Sequence, residues 1–338
     1  MEGLRHQAQR RPSHELTRMG RRWLAALVGV AVLVVAVVVG VRVYDRVGPL
    51  LTNEECEASV DGHTVTLTLE QAENAALMTA ISVQRGLPAR AATIAIATAT
   101  QESKLYNVEH GDRDSLGLFQ QRPSQGWGSE EEILNPYYSI NAFYDALTRV
   151  DGYEAMVVTE AAQEVQRSAY PEAYADHEAD ARVLASALTG NSRAAFRCTV
   201  DGDASEDRDR LKDSGLTPRA DVVRRDVGVA FGGLQLGGFA PGGVTDGHQE
   251  GSAHYEGRAI DVFVRPITPE NRERGWAIAH YLVAQADRLG VQNVIFDDRI
   301  WTSGSRSDDG WRDYDAPDRS GDRAILEHRD HVHVDVLD

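Results

Sequence analysis

The chain has 338 residues, a formal net charge of −17 and 42% hydrophobic residues. That length allows two ordinary domains beside a tail. The acidic balance argues against nucleic acid as a partner.

The charge is unevenly spread. Residues 1–22 hold six Arg against two Glu, and Trp23 to Val41 contains no charged residue. A helix over that run spans about 28 Å, close to a bilayer core. The Arg-rich flank places the N-terminus in the cytoplasm, and no Ala-x-Ala site follows, which favours an uncleaved anchor over a cleaved signal peptide. The sequence therefore divides into a basic tail at 1–22, a transmembrane helix at 23–43, an exported domain at 52–200, a charged linker at 201–218 and a second exported domain at 219–338. The expected location is the cell membrane, single-pass, with both domains outside. Cys56 and Cys198 are the two cysteines. They bracket the first exported domain and are expected to pair in an oxidising compartment.

In that domain Thr68-Leu69-Glu70-Gln71 reads as a capping box opening a helix that Gly86 ends. Pro88 fits the first turn of the next, Ala- and Ile-rich helix, which closes on Glu102 and Ser103. Apolar surroundings and the negative end of the helix dipole disfavour an ionised carboxyl there, so Glu102 is placed to act as a general acid. Gly111 to Pro123 suggests turns and a short hairpin. Trp127, Tyr137, Tyr138, Tyr170 and Tyr174 offer flat faces for sugar rings or belong to the core. Helices follow at about 136–149, 159–169 and 176–188.

Glu102-Ser103 followed by Gly117-Leu118-Phe119-Gln120 resembles the Glu-Ser…Gly-Leu-Met-Gln pattern of lytic transglycosylases, within the lysozyme-like superfamily. The resemblance covers roughly residues 65–190. It implies that Glu102 protonates the glycosidic oxygen and then acts as base. It also places Ser103, Gln120 and Tyr170 against the glycan. In transglycosylases the sugar's own 6-hydroxyl attacks; a lysozyme needs a second acid, for which Asp112 and Asp114 are candidates. The family's Ala-Tyr-Asn-Ala-Gly segment is missing, and Gln166 to Tyr174 stands in its region.

The second domain opens with a Gly-rich run at 232–238, which lacks the Lys-Ser/Thr of a phosphate loop and reads as strand and turn. Strands are expected at Ala259–Val264, Val294–Phe296, Arg299–Trp301 and His331–Val336, and a helix from Pro269 to Leu289 ended by Gly290. Residues 303–323 form a polar loop over a cleft. In the last strand Val332, Val334 and Val336 share one face, leaving His331, His333 and Asp335 on the other. If this strand and Ala259–Val264 share a sheet, His254, Asp261 and His333 converge on one metal. Two imidazoles and a carboxylate leave a fourth position open, the pattern of a catalytic zinc site.

His254…Gly257…Asp261 with the late His-x-His resembles the zinc D-Ala-D-Ala carboxypeptidases and the related hedgehog signalling domain, over about the last third of the chain. The resemblance implies His254, Asp261 and His333 as zinc ligands, with His331 as a further catalytic residue and Arg258 as a substrate-binding residue. The carboxypeptidase spacing puts the general base on Asp330, and the hedgehog spacing puts it on Glu327. The basic residue that commonly holds the substrate carboxylate is replaced by Ala240.

The expected fold class is thus multidomain: an α-rich lysozyme-like domain, an α+β zinc-peptidase-like domain and one N-terminal transmembrane helix. The expected function is a membrane-anchored bifunctional peptidoglycan hydrolase that cuts glycan strands through Glu102 and stem peptides at zinc. Two alternatives stand beside it. In one the zinc domain is a non-catalytic wall-binding module. In the other the chain remodels the wall for a secretion or conjugation assembly.

Overall fold

The computed structural model describes residues 54–168, 172–202, 210–318 and 320–338. Strands β1 (Glu55–Val60) and β2 (His63–Leu67) turn about Asp61 and Gly62, both at positive φ, the backbone that matches the twist of a tight hairpin. Helix α1 (Leu69–Gln84) starts on Thr68, whose hydroxyl accepts from the Gln71 amide while the Gln71 side chain returns to the Thr68 N–H. Helix α2 (Ala89–Ser103) buries Ala91 through Ala99 without a break. Its small side chains let neighbouring helices approach from several sides. Helices α3 (Pro136–Leu147), α4 (Val158–Gln166) and α5 (Glu178–Leu188) surround it. Strand β3 (Phe196–Thr199) returns to β1, giving a three-stranded antiparallel sheet in the order β2-β1-β3. Cys56 and Cys198 sit opposite one another in that sheet and form a disulfide.

Beyond helix α6 (Pro218–Phe231) come β4 (Gln235–Gly237), β5 (Ala259–Phe263) and helix α7 (Pro269–Ala284). The helix expected to reach Leu289 breaks at Gln285, whose side chain caps the Glu73 carbonyl and accepts from Arg288; a single turn, Ala286–Leu289, resumes beyond it. Strands β6 (Val291–Phe296), β7 (Arg299–Thr302), β8 (Arg312–Asp313) and β9 (His331–Val336) complete a six-stranded antiparallel sheet ordered β4-β5-β9-β6-β7-β8. The last strand of the chain is therefore central, with β5 on one side and β6 on the other.

Residues 54–338 pack as one unit. Helix α1 lies on α7, and the Gly190 Cα rests on the α7 backbone, where an added Cβ would come 1.9 Å from the Glu273 carbonyl oxygen. The indoles of Trp301 and Trp311 donate to the carbonyls of Cys198 and Phe196. The loop expected over the cleft divides: its part at Gly304–Asp309 packs on β3, while Tyr314 and Pro317 reach the cavity described below. Of the expected linker, residues 203–209 lie outside the described residues, whereas Leu216 is buried and Thr217 caps α6.

The expected fold class is corrected. The chain is a mixed α/β protein with two sheets, and no helix among the described residues is long and apolar enough to cross a membrane. The longest of them, α1 and α7, have 16 residues each, and α7 carries Glu270, Arg272, Glu273 and Arg274. The segment 23–43, read as a transmembrane helix, lies outside the described residues, and the anchor has no support.

Candidate functional site

The antiparallel register of β5 on β9 sets Asp261 opposite His333 and Phe263 opposite His331. Because side chains alternate along a strand, all four project from the same face of the sheet. His254 arrives from a short 3-10 turn, Ala253–Glu256, which Ser252 caps and Gly257 ends at positive φ. His254 Nε2 lies 3.1 Å from His333 Nδ1, and each is 3.3 Å from Asp261 Oδ1. Three ligands on a tetrahedral zinc at its usual bond lengths stand about 3.3 Å apart. The spacing therefore fits one such ion, held by His254, Asp261 and His333.

The surroundings fix which nitrogen each ring presents. His254 Nδ1 bonds the Gly238 carbonyl at 2.7 Å, which turns Nε2 inward. His333 Nε2 bonds Asp335 at 3.1 Å, and Asn293 donates to both oxygens of Asp335. A ring whose outer N–H is bound to a carbonyl or carboxylate is oriented for a metal. Gly238 is required here: at φ +77° a Cβ would sit 2.3 Å from His254 Cε1.

Electrostatics point the same way. Burial pushes the Asp261 carboxyl up, but hydrogen bonds and charge from His254 and His333 hold it far below the usual carboxylate range. Burial lowers the His333 imidazole, yet Asp261 and Asp335 outweigh it and hold it at about 9. Asp261 and Asp335 thus stabilise a positive charge between them, whether the proton of the His333 imidazolium or a metal ion in its place.

His248 also brings a ring nitrogen within 4.8 Å of the His254 and Asp261 donor atoms. Its ring lies over His254 with centroids 3.8 Å apart and planes only 23° from parallel. An ion in the plane of one stacked ring sits well off the plane of the other, so His333 fits the third position better than His248.

His331 lines the same cavity, its Nδ1 bonded to Asp330 Oδ1 at 2.7 Å and its Nε2 3.7 Å from Asp261 Oδ1. Asp330 is buried; burial raises its carboxyl, and His331 and Arg265 more than reverse this. Glu327 is engaged on both oxygens, with Arg323 at 2.6 Å and Arg329 at 2.7 Å, and does not line the cavity. Of the two acids, Asp330 is the one joined to the cavity wall. Arg258 is spent on Glu256, Gln292 and the Val336 carbonyl. The cavity measures about 690 Å³.

The other candidate centre is Glu102, half-buried in the last turn of α2, where it accepts a hydrogen bond from Tyr174 at 2.7 Å. Tyr174 is buried, so it offers no face to a sugar. Its hydroxyl holds one carboxylate oxygen, and Glu102 Oε2 has no protein partner among the described residues. Burial, followed by Glu102 itself, pushes the Tyr174 hydroxyl above its ordinary value and keeps it a donor. Ser103 donates to the Leu118 carbonyl, tying α2 to the Leu116–Gln121 turn, and Gln120 bonds the His110 carbonyl. Both tie the protein to itself. Asp114 is clamped by Arg122 at 2.6 Å and the Ser124 amide at 2.9 Å, and Asp112 is exposed beside Arg113. Tyr170 lies outside the described residues.

Sequence reasoning missed His248, Arg265 and the roles of Asp335 and Tyr174, and it did not single out His328, which also lines the cavity. For Asp335 a signal was present: it shares the alternating face of His331 and His333. The others depend on how separate segments meet.

No curated protein matches the chain. The family model described as VldE, C-terminal domain, matches residues 212–325. That stretch is about a third of the chain, holds His254, Asp261 and Arg265, and stops before His331 and His333. Over it the chain is similar to that family, and the match indicates neither glycan nor peptide cleavage.

Proposed function

We propose that this protein cleaves peptidoglycan outside the cytoplasm, cutting stem peptides at a zinc centre held by His254, Asp261 and His333 and glycan strands through Glu102. The observation that carries the reading is the triangle of three donor atoms, 3.1 to 3.3 Å on a side, in the wall of a 690 Å³ cavity. Zinc in that place supplies Lewis acidity toward a peptide carbonyl. The chain's own part is to orient two imidazoles through Gly238 and Asp335 and to hold His331 on the cavity wall through Asp330. The disulfide in the three-stranded sheet supports an oxidising compartment.

For the glycan, Asp114 is clamped by Arg122 and the Ser124 amide, which leaves Asp112 as the free candidate second acid, while the transglycosylase chemistry needs neither. Tyr174 positions the one acid that reaction uses.

A second reading is favoured by one observation: neither Glu327 nor Asp330 lines the cavity. On that reading the zinc centre holds wall peptide without cutting it.

The test is to incubate the full chain with cell-wall sacculi and zinc, and to identify released fragments by mass spectrometry. Wild type releases both glycan and stem fragments. Glu102→Gln loses the first and His333→Ala the second. Glycan fragments alone, with peptide binding retained, favour the second reading. Release of neither by the zinc-loaded wild type contradicts both.

A further inference from the structure

We infer that the pocket between the Gly190 turn and the first turns of α7 binds a phosphoryl group, held by Arg193, Arg272 and Arg329. The pocket measures about 480 Å³, within the range of small-molecule sites. It is separate from the cavity of His254, Asp261 and His333 but is walled off from it by shared segments. Arg265 and His328 line that cavity, while Ile267 and Arg329 line this pocket. Gly190 and Arg193 reach it from the end of α5, so it also lies on the seam where α5 meets α7.

Each arginine is fixed along one edge. Arg272 gives Nε and Nη2 to the two oxygens of Asp297, at 2.7 and 2.9 Å. Arg193 gives Nη2 to the Asp297 carbonyl and to Asp298, at 2.6 and 2.7 Å, and its guanidinium stands 5.8 Å over the Trp276 ring. Arg329 sets Nη2 2.7 Å from Glu327. Nη1 of each has no partner among the described residues, and the side chains are 37%, 49% and 45% exposed for Arg193, Arg272 and Arg329. The acids nearby do not cancel this charge. Asp297 is buried, and Arg272, Arg193 and the Trp276 indole already occupy its oxygens. Asp298 is shared by Arg193, Arg299 and Arg329, and Glu327 by Arg323 and Arg329. Glu273 is exposed to water, and its carbonyl is the part that lies under Gly190. In a chain of net charge −17 this is a local surplus of cations with donors to spare. The donors come from separate segments and can meet an anion from several sides. A carboxylate offers two oxygens and a phosphoryl group three, which suits three guanidinium edges. Ile267, 52% exposed, and Pro269 add an apolar wall for a small body carrying the phosphate.

The test titrates the full chain, without added zinc, with inorganic phosphate, glycerol phosphate and acetate by calorimetry, and with phosphatidylglycerol vesicles by sedimentation. Wild type is expected to bind a phosphate probe about tenfold or more tighter than acetate. Arg329→Gln and Arg193→Gln are each expected to weaken it by on the order of 10- to 100-fold, the loss of a charge-assisted hydrogen bond. Arg272→Gln is not used, because it leaves buried Asp297 without its main partner. Arg182→Gln, at an exposed arginine of α5 outside the pocket, is expected to change nothing. Circular dichroism checks that each variant keeps the fold. Vesicle binding that needs Arg329 sustains the inference with a lipid headgroup as the source of the phosphate. Binding of the soluble probes alone sustains it with a free ester or a wall polymer as the source. No binding of either soluble phosphate or of vesicles, acetate bound as tightly as phosphate, or wild-type affinity in folded Arg329→Gln and Arg193→Gln overturns it.

Discussion

Asp261 and His333 face each other across β5 and β9 as directly paired residues, with Asp261 Oδ1 3.3 Å from His333 Nδ1. A hydrogen-bonded sheet therefore sets one edge of the donor triangle, which a loop could not hold as firmly. His333→Ala should remove zinc binding, raising the apparent Kd by at least two orders of magnitude. Asp335→Asn should weaken it by roughly 10- to 100-fold, because the ring loses the carboxylate that orients it. Competition with a chromophoric chelator measures both. Unchanged affinity in Asp335→Asn would show that the ring needs no such support.

Gly238→Ala tests the close approach on the other side of the centre. The added Cβ would fall 2.3 Å from His254 Cε1 and 2.6 Å from Nδ1, at a backbone φ that side chains rarely adopt. The ring must move, so zinc affinity should drop while the fold, read by circular dichroism, persists. An alanine variant with wild-type affinity would mean the loop relaxes instead.

Glu102→Gln should lower glycan cleavage by about 10² to 10⁴-fold, the usual weight of a positioned acid. Tyr174→Phe removes a hydrogen bond and leaves the acid in place. It should reduce kcat by about tenfold with little change in KM. Equal losses from both variants would make Tyr174 more than a positioning residue.

Glu73, on α1, gives a pH signature of stability. Burial lifts its carboxyl from the ordinary 4.5 to about 7, Arg288 opposing and Asp287 adding to the rise. The folded state then holds a proton that the unfolded state has released, so this group's contribution falls as pH rises from 4.5 to about 7. Glu73→Gln should raise Tm by a few degrees at pH 8 and add nothing at pH 4. An equal gain at both pH values would assign the effect to packing rather than charge.

The disulfide closes a loop of 142 residues between opposed strand positions. Replacing both cysteines by serine should cost about 2–5 kcal/mol in denaturant unfolding. A variant of wild-type stability would show that the three-stranded sheet and the tryptophan contacts from β7 and beyond suffice without it.

Much of the His254–Asp261–His333 cluster was legible because strand alternation is a local rule. Valines at 332, 334 and 336 force His331, His333 and Asp335 to one face, and Gly257 marks the turn that delivers His254. Helix starts at Thr68, Pro88 and Pro136 were equally open to reading, since caps and prolines act on their immediate neighbours. What sequence withheld was contact between distant segments. At the break the Gln285 side chain reaches Glu73 on α1, 212 residues away, a contact no local pattern announces. The packing of α7 against α1, and of Trp301 and Trp311 against β3, likewise leaves no periodic trace. Nor does the pairing of Arg265 with Asp330, which depends on the end of β5 meeting the start of β9.

The most direct test of the proposed zinc site is zinc-edge X-ray absorption on the zinc-loaded full chain, with stoichiometry from mass spectrometry of the native protein. The account predicts one zinc per chain, bound by two imidazoles and one carboxylate at about 2.0–2.2 Å, and no retained zinc in His333→Ala. Wild type that keeps no zinc, or a variant whose stoichiometry and spectrum equal those of wild type, would contradict it.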